Sequence, residues 1–176
     1  PNAGKAIITG LAITPETGLE YGDIVTLSGS FTDQTGLRSY TVKMNNTSGV
    51  IFEETKMLTG KSFTLNDDIT IPLPKNAVEG DMTVSVTVKN SADLLTTEEI
   101  TINDLSLPTI DNLYLIINNK VYPMTKNGNV FEVEDFIPID AAGKIYTNSD
   151  KSGLAWGLDG QEIIALGSGD IVFGKE

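Results

Sequence analysis

The chain has 176 residues, no cysteine, no histidine, and 24 acidic against 12 basic side chains, for a net charge of −12. Disulfide frameworks, thiolate zinc sites and every catalytic arrangement built on Cys or His are thereby excluded. The charge argues against nucleic acid and anionic membranes as partners, and suits a neutral or cationic one.

Apolar residues make up 40% and charged residues 20%, a globular balance with room for a core. The acidic excess is spread evenly, about −7 before Leu105 and −5 after it. No stretch approaches the roughly 18 apolar residues of a membrane helix. The opening Pro1-Asn2-Ala3-Gly4-Lys5 is not a signal peptide. Zero cysteine is compatible with the cytosol and with an extracytoplasmic bacterial location.

Thr, Ile and Val alternate with polar residues in short runs punctuated by Gly, Asn, Asp and Pro, the pattern of an all-β sandwich. The first hundred residues predict seven strands, at 5–13, 24–32, 37–45, 50–58, 62–71, 80–90 and 94–102. Ile7, Leu11 and Ile13 open the core face. Val25, Leu27 and Phe31 follow, with Gly29 sharing their side. Tyr40, Val42 and Met44 form a third set, and Phe63, Leu65, Ile69, Ile71 and Leu73 a fourth. Met82, Val84, Val86 and Val88 give the clearest alternation, and Ile100 and Ile102 end the series. Pro15-Glu16-Thr17-Gly18, Glu20-Tyr21-Gly22-Asp23 and Asn45 to Gly49 read as turns. Pro72 and Pro74 stop a strand.

Residues 105–108 read as a linker, because Pro108 favours an extended chain. The expected layout is thus a seven-stranded sandwich over 1–104 and a second small β domain over 109–176. In the latter, strands are predicted at 113–117, 120–124, 129–136, 143–148, 154–158, 162–166 and 171–173. Asn118-Asn119 and Lys126 to Asn129 read as hairpin turns. The chain stops at Glu176 just after an apolar strand, which suggests either that it continues or that the domain is minimal.

Gly29 to Asp33, Leu37 to Val42 and Gly80 to Asn90 resemble the N-terminal immunoglobulin-like domains of Bacteroidetes surface lipoproteins. Leu113-Tyr114-Leu115-Ile116, then Tyr122 to Lys126, then Gly128 to Glu132, are similar to the opening strands of carbohydrate-binding domains in starch-utilisation-system E/F-type lipoproteins. The resemblance implies an immunoglobulin-like spacer followed by a glycan-binding β domain. It further implies a lipid anchor upstream, an outer-membrane surface location, a polysaccharide or oligosaccharide ligand, and work beside an outer-membrane transporter. It implies no catalysis and no cofactor. The competing expectation is a structural module of an adhesin or assembly with no small ligand.

Among candidate site residues, Trp156 is the single tryptophan. An aromatic face packs on sugar C–H groups while polar groups bind hydroxyls. Tyr146 is expected to extend that platform, with Asn148, Asp150 and Lys151 bonding hydroxyls from the adjoining loop and Asp159 nearby. A core role for Trp156 is the alternative that burial statistics prefer. Asn148 to Gly153, with Asp159 at the twelfth position, has the spacing of a calcium loop, but its flanks are β rather than helical and favour a polar turn. Asp33, Asn90 and Asp93 are weak calcium candidates at one end of the first sandwich, against a plain reading as Asx turns. The acidic pairs Glu53-Glu54, Asp67-Asp68 and Glu98-Glu99, and the Glu132, Glu134, Asp135 group, read as a solvated face, since neighbours on a strand point to opposite sides. Gly167-Ser168-Gly169 is too short for a phosphate loop.

Overall fold

The structure, a computed structural model, describes residues 4–174. It contains fifteen strands and, among the described residues, no helix, so the protein is all-β. The chain ends, on which the expectations about a leader and a continuation rest, lie outside the described residues. The chain divides into two compact units: Pro1–Pro72 with Asn76–Leu107, and Leu73–Lys75 with Pro108–Glu176.

The first unit holds β1 (Ile7–Thr14), β2 (Ile24–Thr32), β3 (Leu37–Asn46), β4 (Gly49–Met57), β5 (Ser62–Thr70), β6 (Gly80–Asn90) and β7 (Leu95–Leu105). A three-stranded sheet runs in the order β1-β2-β5 and a four-stranded sheet in the order β4-β3-β6-β7, all antiparallel. Period-two alternation gives each sheet one apolar face, and the two faces close on each other. Phe31 of β2 and Tyr40 of β3 lie 5.5 Å apart between ring centroids, as do Tyr40 and Phe63 of β5. Met82, Val84, Val86 and Val88 are each at most 1% exposed. Burial of each such side chain contributes about 1.5–3 kcal/mol relative to exposure.

Two features of this unit depart from the sequence pattern. Ile7 is exposed and Ile8 buried, the reverse of the expected parity. The cause is a bulge between Thr9 and Ala12, where Gly10 takes a left-handed φ of 62°. Gly29 lies under that bulge, where a Cβ would stand 3.4 Å from Leu11 Cα. Tyr21, expected in a turn, is 1% exposed. Its hydroxyl donates to Val78 O at 2.6 Å and accepts from Asn46 Nδ2 at 3.2 Å, so this loop side chain belongs to the core.

The second unit holds β8 (Tyr114–Ile117), β9 (Lys120–Pro123), β10 (Thr125–Asn127), β11 (Val130–Glu132), β12 (Ala142–Tyr146), β13 (Ala155–Asp159), β14 (Glu162–Ala165) and β15 (Ile171–Val172). Five of these run in the order β14-β13-β12-β8-β9, and β15 pairs with the start of β12. β10 and β11 form a separate two-stranded sheet. The strand expected at 129–136 is confined to 130–132, and Lys126 and Asn127, expected in a turn, lie on β10. A small core gathers Leu115, Ile117, Tyr122 and Ala141, with Met124, Val133, Ile137, Ile145 and Phe173 packed against it.

Three glycines bring backbones together in this unit. A Cβ on Gly157 of β13 would fall 2.4 Å from Gly167 O and 2.5 Å from Gly169 O, and one on Gly167 would fall 2.3 Å from Gly157 O. The 167–169 segment therefore lies directly on β13, held by Leu158 N to Gly169 O at 2.7 Å and Gly169 N to Leu158 O at 2.9 Å. Close backbone approach explains Gly167-Ser168-Gly169 without any ligand.

Candidate functional site

β8 and β9 are joined by two residues, Asn118 and Asn119, with φ of 47° and 66°. Asparagine tolerates this left-handed geometry, which a tight hairpin with native twist needs. β12 pairs with β8 on one side and β13 on the other. A second turn, Thr147 to Leu154, joins β12 to β13, with Thr147 N donating to Leu154 O at 3.0 Å and Leu154 N to Thr147 Oγ1 at 3.1 Å.

Beside β12 these two turns enclose a concavity of about 320 Å³. Ile116 supplies an apolar lining residue, and Asn118, Asn119, Lys144, Tyr146 and Lys151 stand around it, with Asp170 also on the wall. Lys144 and Tyr146 are two apart on one strand and share a face. Tyr114 lies directly opposite Tyr146 in register, on that same face. Lys151 is held at a left-handed φ of 69°, with its amide donating to Asn148 O at 3.2 Å. Its ammonium donates to Asn119 Oδ1 at 2.7 Å, tying one turn to the other.

The expected Trp156–Tyr146 platform does not form. Trp156 is half-buried and pairs with Ile145, while Tyr146 pairs with Ala155. Paired residues share a face and sequence neighbours do not, so the two rings lie on opposite sides of the sheet. Tyr146 and Lys151 line the concavity; Asn148 and Asp150 do not. Asn148 Nδ2 donates to Ser152 Oγ at 3.0 Å. Asp150 Oδ1 accepts from Ser152 Oγ at 2.6 Å and Ser152 N at 3.0 Å, and these bonds hold its carboxyl below the usual range. The 148–153 segment is thus a self-satisfied polar turn, and Asp159 sits at the far end of β13.

In the first unit, Asp33 and Asn90 do meet, but as partners of each other, with Asn90 Nδ2 donating to Asp33 Oδ2 at 2.9 Å. Asp33 Oδ1 accepts from Thr35 Oγ1, Thr35 N and Gly36 N at 2.6, 2.7 and 2.9 Å. Asp93 pairs with Arg38 at 2.5 Å and Lys89 at 3.0 Å. The Lys89 bond, then the nearby Arg38 charge, hold its carboxyl below the usual range. Protein donors occupy both oxygens of Asp33, Asn90 Oδ1 and Asp93 Oδ1. Among the described residues no three acidic side chains gather as a metal-binding group.

The polar concavity residues that sequence reading missed are Asn118, Asn119, Lys144 and Asp170. Parity along 142–146 places Lys144 beside Tyr146. The asparagines read only as turn formers, because the neighbour they face is set by pairing between β8 and β12.

No protein-family model matches this sequence, and no curated protein matches it. Among solved structures, the chain is similar to the Pseudomonas fluorescens alkylpurine DNA glycosylase AlkC bound to DNA containing an abasic site analog. The two are 16% identical, the likeness covers 56% of this chain and 30% of that one, and the TM-score is 0.39. A likeness that slight carries no argument about what this chain does. That protein is bound to DNA, and the expectation that nucleic acid is excluded, which rested on net charge alone, is withdrawn. Nucleic acid therefore stands among the ligands to be tested.

Proposed function

We propose that this chain is a non-catalytic glycan-binding accessory module of a bacterial cell surface, serving polysaccharide uptake, with the second unit holding the sugar and the first acting as a spacer. The observation that carries the reading is the concavity beside β12, which sets the ring of Tyr146 among the amides of Asn118 and Asn119 and the ammonium of Lys151. An aromatic flank with several hydrogen-bonding groups suits a hydroxyl-rich ligand. Its volume lies at the low end of the roughly 300–1,000 Å³ of small-molecule sites, which suits one sugar residue of a longer chain. The resemblance of Leu113 to Glu132 to carbohydrate-binding domains supports the same assignment.

The non-catalytic part rests on chemistry. With no His or Cys, hydrolysis falls to a Ser-Lys arrangement, for which the sequence has no motif, or to a pair of carboxyls, one of them held protonated near neutrality. The carboxyls whose acidity clearly departs from the ordinary, Asp33, Asp67, Asp93 and Asp150, all move the other way.

Native gels cast with a panel of neutral and acidic polysaccharides provide the test. Retardation by at least one polymer is expected, lost in Tyr146→Ala and kept in Trp156→Ala, whose ring is on the other face. Circular dichroism melts establish that both variants fold. Retardation by no polymer sinks the reading.

A further inference from the structure

We infer that the concavity beside β12 selects acidic sugars, those bearing a carboxylate such as a uronic acid, through Lys144 and Lys151. The inference rests on the glycan-binding reading and names the ligand class of that same site. A chain of net charge −12 repels anions at long range, so an acidic ligand needs local cations whose charge is not already neutralised. Elsewhere on the second unit the lysines among the described residues are engaged, Lys75 with Glu162 at 2.8 Å. Lys120 sits 4.4 Å from the centre of the Tyr122 ring. Lys126 lies 3.9 Å from Asp111, 5.5 Å from the Phe131 ring centre, and donates to Ile110 O at 2.9 Å. Among the described residues, neither Lys144 nor Lys151 has a carboxylate within ion-pair reach. Both line the same concavity.

The geometry prepares this pair for an anion. Lys151 donates to Asn119 Oδ1, a neutral oxygen, so its position is fixed while its charge stays uncompensated. Ordering the ammonium beforehand lowers the cost of binding. Lys144 shares its sheet face with Tyr146, so a ring lying on the tyrosine would have its carboxylate within the lysine's reach. Asp170 on the wall opposes the lysines and leaves a local sum of one positive charge. Its removal should therefore strengthen binding of an acidic sugar.

The test uses the full chain and three probes: alginate oligomers, the same oligomers after carboxyl reduction, and a single-stranded DNA oligonucleotide. Calorimetry at about 0.05 and about 0.5 M salt reads the affinities. Alginate is expected to bind more tightly than its reduced form, with the advantage fading at high salt. K144Q and K151Q should each weaken alginate binding by about two- to fivefold and weaken the reduced oligomer by less, while D170N should tighten alginate. Equal binding of both oligomers overturns the acidic preference and leaves the glycan reading intact. Binding of neither oligomer, together with no retardation across the polysaccharide panel, overturns both. DNA binding as tight as alginate overturns sugar selectivity in favour of a general anion contact.

Discussion

Asp33 sits in the loop between β2 and β3, almost fully buried, and its carboxylate accepts four hydrogen bonds. The Thr35 hydroxyl, then the Asn90 amide, then the backbone amides of Thr35 and Gly36 favour the charged form and bring its pKa from 3.8 down to about 2. The folded-state value is the lower one, so the unfolded chain binds protons more readily as the solution is acidified. The stabilisation is complete above the unfolded value of 3.8 and is lost as the pH falls through about 2. Urea unfolding from about pH 6 to about pH 2 should show that loss, with a shallower decline in Asp33→Asn. Asp33→Ala should cost about 1–3 kcal/mol near neutrality, because buried donors lose their acceptor. An equally steep acid decline in Asp33→Asn would remove Asp33 as its source. As a loop carboxylate Asp33 is easily spotted in the sequence. Its partner Asn90 is fifty-seven residues away, and only the pairing of β3 with β6 brings that loop to the end of β6.

At the level of strands, Asp67 shows how an edge is managed. β5 is an edge of one sheet and β4 an edge of the other. Asp68 faces outward and accepts from Thr26 Oγ1 at 2.6 Å. Asp67 has the parity of Leu65 and Ile69, and so turns toward the core side. There the Tyr40 hydroxyl donates to it, and Lys56 of β4 reaches it at 2.9 Å. Partial burial pushes the Asp67 carboxyl up, but the bonds from Tyr40 and Lys56 outweigh this and hold it below the usual range. Burial and the same carboxylate push the Tyr40 phenol up. This corrects the reading of Asp67-Asp68 as a purely solvated pair. An inward charge on an edge strand discourages pairing with a second molecule, because any such strand would have to bury it. Asp67→Val should leave the Tyr40 hydroxyl unsatisfied, at about 1–3 kcal/mol, and promote self-association. Chemical denaturation and light scattering read the two effects. A variant that stays monomeric and as stable as the parent would show that the carboxylate guards nothing.

How much of the elements is legible depends on their length. β6 has eleven residues, and its alternation repeats often enough that its buried face can be named from sequence. β1 misleads because one glycine inserts a bulge and inverts the parity on either side of it. The second unit is harder, since its strands span only two to five residues. So few residues fix no face by themselves. Register does, and register comes from the turns and from close contacts such as Gly143, where a Cβ would stand 2.2 Å from Ile116 O. That is why the Trp156–Tyr146 platform looks plausible on paper and fails in the fold.

Across the whole molecule, the all-β class follows from composition and from the recurrence of turn residues. The polar interior is less visible in the sequence. Among the described residues every buried side-chain nitrogen and oxygen has a partner. In the first unit those partners are largely spent on one another, as at Asp33 with Asn90 and Asp67 with Lys56. In the second unit Lys144 and Tyr146 face a concavity instead. The two units thus use polar groups differently, one to close its own structure and the other to present a surface.

The placement of Trp156 and Tyr146 on opposite faces of one sheet has an optical consequence. The protein has one tryptophan, so its indole emission comes entirely from the second unit. The ring is half-buried and lies opposite Ile145, which packs on that unit's core. Unfolding of the second unit should therefore shift the emission to longer wavelength, even where the first unit remains folded. A sugar held beside Tyr146 is screened from the indole by the thickness of the sheet, and should leave the wavelength unchanged at saturation. The fluorophore is then a clean gauge of this unit's integrity during any titration. A spectral shift on adding ligand to the folded protein would place the ligand on the tryptophan's side.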